Sequence, residues 1–68
     1  MPLIPSATHH YMIVMRPLDG DGYTIEEVQE ASVYLIHNSG FHLFVTRGRI
    51  IRAIAGNRVI EVREIHPL

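Results

Sequence analysis

No cysteine occurs in this chain of 68 residues. A domain this short must therefore hold together by side-chain packing, with no disulfide to help. A chain of this size buries roughly 60% of the surface it exposes when unfolded. The hydrophobic gain from that burial and the entropy cost of ordering the residues each come to about 100 kcal/mol, so a marginal monomer is expected. Apolar residues make up 47% and charged residues 19%, which excludes a disordered chain. No apolar run reaches the length of a membrane span, and residues 1–6 do not read as a signal peptide. The expected setting is cytoplasmic, with no membrane contact.

The chain reads as one small α+β domain. Residues 1–8 contain two prolines and form a loose arm. Residues 9–16, apolar on both faces and closed by Pro17, predict a central strand. The turn-rich Pro17-Leu18-Asp19-Gly20-Asp21-Gly22 follows. Thr24 with Glu27 has the spacing of a capping box, and Tyr23 with Val28 that of a hydrophobic staple. Together they predict a helix over 24–38 that stops at Gly40. Its apolar stripe would be Ile25, Val28, Ala31, Ser32, Leu35 and Ile36.

Residues 41–65 predict a three-stranded meander over 41–45, 49–55 and 58–65. Gly56-Asn57 reads as a two-residue hairpin, which sets Arg52 across from Glu61 as an ion pair. The earlier hairpin offers two loops. A two-residue Arg47-Gly48 turn competes with a three-residue Thr46-Arg47-Gly48 loop, and a slip of one residue exchanges the faces of a strand. The hydrophobic pattern favours the longer loop, with Phe41, Leu43, Ile51, Ala53, Ile60 and Val62 facing inward. The expected architecture is β-α-β-β-β: one helix packed on one face of a four-stranded, mostly antiparallel sheet.

One helix covers one side of such a sheet. The other side would expose Phe44, Ile50, Ile54 and Val59 around Arg52, and an exposed apolar patch of that kind marks an interaction site. The leading functional expectation is a small non-enzymatic interaction module, with Phe44, Ile50, Arg52, Ile54 and Val59 as its protein interface. It would homodimerise or bind and block another protein, as a stand-alone accessory or inhibitory factor of the kind mobile elements encode.

The alternative is a single-stranded RNA- or DNA-binding sheet. All six basic residues are arginines, and they are unevenly spread. Residues 1–40 hold one arginine against five acidic residues, whereas 41–68 hold five against two. Arg47, Arg49 and Arg52 beside Phe44 would supply phosphate contacts and a stacking ring. A net charge of −1 and the interleaved Glu61 and Glu64 weigh against it.

Catalytic and metal chemistry find little footing. No nucleophile motif or phosphate loop is present. Asp19-Gly20-Asp21-Gly22 lacks the remaining oxygen ligands of a calcium loop. His9, His10, His37, His42 and His66 follow no zinc spacing. Glu26, Glu30, Tyr34 and His37 would share a helix face suited to acid–base work, though a solvated acidic face, or one docking on a basic surface, fits better. No enzyme, cofactor or metal is expected.

Overall fold

The computed structural model describes residues 8–20 and 22–65. The arm expected over 1–8 falls almost wholly outside them, as do Asp21 and His66. The described residues form six strands: β1 His9–Met15, β2 Ile25–Ala31, β3 Val33–Ile36, β4 His42–Thr46, β5 Arg49–Ile54 and β6 Val59–Ile65. A single 3-10 turn, Gly56–Arg58, joins the last two. Two three-stranded antiparallel sheets result, ordered β2-β1-β6 and β3-β4-β5.

The expected helix is absent from the described residues; 24–38 is strand, bend and strand instead. This corrects the α+β reading to a nearly all-β one. The cause is tertiary. Helix propensities differ by well under 1 kcal/mol for most residues, whereas each buried backbone group left unpaired costs about 1–3 kcal/mol. The central strand β1 needs a partner on both edges. β2 supplies one through seven residue pairs, from His9↔Ala31 to Met15↔Ile25, and β6 supplies the other. Val33-Tyr34-Leu35-Ile36 then continues as strand, as its β-branched and aromatic content favours.

Ser32 is the corner. Its N–H donates to the Val45 carbonyl (2.9 Å), so β2 passes almost directly into β3 and carries the hydrogen bonding from one sheet to the other. Strands that switch sheets at a bend are how two sheets meet at a steep angle. The core lies inside this fold: Tyr11, Ile13 and Met15 from β1, Ala31 from β2, Phe44 from β4 and Ile54 from β5. Ile25, Tyr34, Val59 and Val62 pack around them. Tyr11 meets Phe44 edge to face with ring centroids 5.7 Å apart, and Tyr34 stacks on Phe44 at 5.0 Å.

Both hairpin readings change. Arg47 (φ 55°) and Gly48 (φ 74°) form a two-residue turn with Thr46 paired to Arg49. Two consecutive positive φ values match the right-handed strand twist. A bulge then shifts the register, so that Val45 faces Ile50 but Phe44 faces Arg52, with Ile51 the extra residue. Without that bulge Ala53 would point inward; with it, Ile54 does. A three-residue loop does occur, one hairpin earlier. At Asn38-Ser39-Gly40, Gly40 has φ 94° and the His37 N–H donates to the Phe41 carbonyl (2.8 Å).

Gly56-Asn57 makes no hairpin. β5 and β6 part company there, because β6 pairs with β1 rather than with its sequence neighbour. The junction is tied down by Arg16. Its N–H donates to the Arg58 carbonyl (2.7 Å), and its guanidinium donates to the Asn57 carbonyl (3.1 Å). The expected Arg52–Glu61 pair is replaced: Arg52 pairs with Glu27 of β2, and Glu61 lies 3.7 Å from Arg63.

Candidate interaction surface

Alternation along the strands decides what each sheet presents to water. In the second sheet Tyr34, Phe44, Arg52 and Ile54 point inward. Their neighbours Val33, Leu35, Leu43, Val45, Ile50 and Ala53 point outward, since successive residues face opposite ways. Ile51, at the bulge, is also exposed. Not one of these outward side chains carries a charge or a hydrogen-bonding group.

The outer face of the first sheet is built differently. Glu26, Glu30, His10, Glu61 and Arg63 are interleaved there with Met12, Val14 and Val28. His10 and Glu30, cross-strand partners, are joined at 3.1 Å. One sheet thus has a mixed polar exterior and the other an uninterrupted apolar one.

The residues expected at an open sheet face are mostly used by the chain itself. Phe44 is 0% exposed and Ile54 4%. Val59 packs on the core. Arg52 hydrogen-bonds Glu27 and lies 3.4 Å from the Gln29 Oε1, closing the seam between the two inner faces. That hydrogen bond holds the Glu27 carboxyl below its usual range, against the opposing effect of burial. Ile50, 61% exposed, is the one member of the set presented freely to a partner. The face thought open is shielded by the other sheet, and Leu43 and Ala53, thought covered, look outward.

The missed residues are Val33, Leu35, Leu43, Val45 and Ala53. The run Val33-Tyr34-Leu35-Ile36 was the available signal, because four such residues in succession favour strand over a helix exterior.

The nucleic-acid set is likewise dispersed. Phe44 offers no ring for stacking and Arg52 is paired, which leaves Arg47 and Arg49 exposed at the hairpin tip. Glu26, Glu27, Glu30, Tyr34 and His37 no longer share a face. Glu26 and Glu30 lie outside the first sheet, Glu27 points inward, Tyr34 lines the core, and His37 opens the β3–β4 loop.

Tyr34 and His42 are hydrogen-bonded through the phenol oxygen and Nδ1 (2.6 Å), and burial raises the Tyr34 phenol above its usual range. His9 meets Glu64 at 2.9 Å. Among the described residues no three His, Asp or Glu side chains converge as a metal site would require. A shallow cleft of about 290 Å³ lies between the β1–β2 loop and β6, lined by Arg16, Tyr23, Thr24, Ile60 and two glycines. Among the described residues no helix is long and apolar enough to cross a membrane.

No protein-family profile, curated protein or solved structure matches the chain.

Proposed function

We propose that this chain is a non-enzymatic protein-interaction module, cytoplasmic in setting, that binds or blocks a partner through the outer face of β3-β4-β5. The observation that supports this reading is the contrast between the two exteriors. Exposed single hydrophobics are normal on any protein, but a contiguous uncharged face is uncommon on a small monomer. Apolar surface of this kind gains free energy when any matching surface removes it from water. The competing nucleic-acid reading loses its stacking ring, Phe44, and one of its three arginines, Arg52.

A neutral apolar dye tests the proposal. In a monomeric sample, Nile red fluorescence is enhanced by the protein, and Leu35→Asp and Ile50→Asp each reduce the enhancement several-fold. Val28→Asp, on the mixed exterior of the first sheet, leaves it unchanged. A monomer whose dye binding is the same in all three variants overturns the docking reading.

A further inference from the structure

We infer that the occupant of the apolar face is a second copy of this chain, stacked sheet on sheet about a two-fold axis. The inference rests on the docking reading and names the partner.

The first argument is symmetry. An isologous contact sets residue i of one copy against residue j of the other, so a face without charge can meet its twin with no charge buried unpaired. Val33, Leu35, Leu43, Val45, Ile50 and Ala53 include no charge, whereas the exterior of the first sheet carries Glu26, Glu30, Glu61 and Arg63, which a sheet-on-sheet contact would have to strip of water.

Area supplies the second argument. Three strands about five residues long cover roughly 14 × 17 Å, or about 240 Å² a face, so stacking two such faces removes on the order of 500 Å² of surface, the size of a weak, concentration-dependent contact.

Geometry then fixes the centre. When the two faces overlap fully, the two-fold axis lies between the stacked sheets and passes over the centre of each, whether it runs near the strand direction or across it. In both cases the middle strand, β4, sits over β4 of the second copy. Leu43 and Val45 therefore form the centre of the contact. Ile50, on the edge strand β5, belongs to its rim, as do the charged ends of Arg47 and Arg49 at the hairpin tip.

Sedimentation equilibrium of the full chain reads this directly. The weight-average mass should double as concentration rises through the micromolar range, and added salt should not reverse it. Val45→Asp, at the centre, weakens association roughly 30-fold or more. Ile50→Asp weakens it less, and Val28→Asp leaves it unchanged. Circular dichroism shows whether each variant is folded; should Val45→Asp unfold, the exposed Ile50 carries the test. A wild type that stays monomeric while Nile red binds the face overturns the second copy and spares the docking reading. A monomer without face-dependent dye binding overturns both. A dimer broken by Val28→Asp and indifferent to Ile50→Asp overturns the proposed interface.

Discussion

Arg47 holds a backbone conformation that L-residues with a Cβ adopt at a cost. Its φ of 55° is required because it occupies the first central position of a two-residue turn, followed by Gly48 at 74°. Asparagine tolerates that region far better than arginine. Arg47→Asn should therefore raise stability by about 0.5–1 kcal/mol, read as a higher midpoint of urea unfolding. A lower midpoint would show that the arginine side chain contributes more than its backbone costs. The two-residue Arg47-Gly48 turn was one of the two loops the sequence offers, but the hydrophobic pattern pointed to the longer one. What the residue pattern could not show was the bulge at Ile51, which decides whether Ala53 or Ile54 faces the core. Both choices look acceptable by alternation alone, since Ile50 and Ile51 are identical and adjacent; in the fold it is Ile54 that is buried with Phe44 in the core.

Among the elements, the 3-10 turn at Gly56–Arg58 is where packing leaves least room. A Cβ on Gly56 would run into the backbone carbonyl oxygen of Gly40, because the end of β5 lies against the β3–β4 loop. Backbone cannot step aside as a flexible side chain can, so Gly56→Ala should cost about 1–3 kcal/mol, seen as a lower urea midpoint; an unchanged midpoint would mean the loop yields freely. Of the elements, β1, β4, β5 and β6 were legible in the sequence within a residue or two. The helix was not there to be found, although Thr24, Glu27 and Gly40 punctuate a helix convincingly. Those signals act within one turn of chain, whereas the demand that made 25–31 a strand came from the unpaired edge of His9–Met15, a segment far away in sequence. The docking surface was misplaced for the same reason: a lid of helix would have covered Leu43 and Ala53, and a second sheet covers Phe44 and Ile54.

At the scale of the whole molecule, Glu27 and Arg52 fasten one sheet to the other across the mouth of the core. Hydrogen bonding from Arg52 depresses the Glu27 carboxyl in the folded state below the value of about 4.5 that it has in a free chain. The sign follows: the unfolded chain binds this proton more readily, so the pair's contribution is present above about pH 4.5 and lost as pH falls through the folded value. Both side chains are about a third exposed, and water screens them, so the contribution is a few tenths of a kcal/mol up to about 1. The wild type should exceed Glu27→Gln in stability at about pH 7 and lose that advantage at about pH 3, measured by urea unfolding at each pH; a gap that persists in acid would show that charge is not its source. Finally, the pairing of β1 with β6 has a consequence for how the protein is made. During synthesis the β3-β4-β5 meander can close on itself as soon as it leaves the ribosome, but β1 has already emerged and must wait with one edge bare until residues 59–65 follow. Until that pairing forms, the backbone groups along one edge of His9–Met15 are open to any other strand, and the chain is most exposed to misassembly before residues 59–65 reach it.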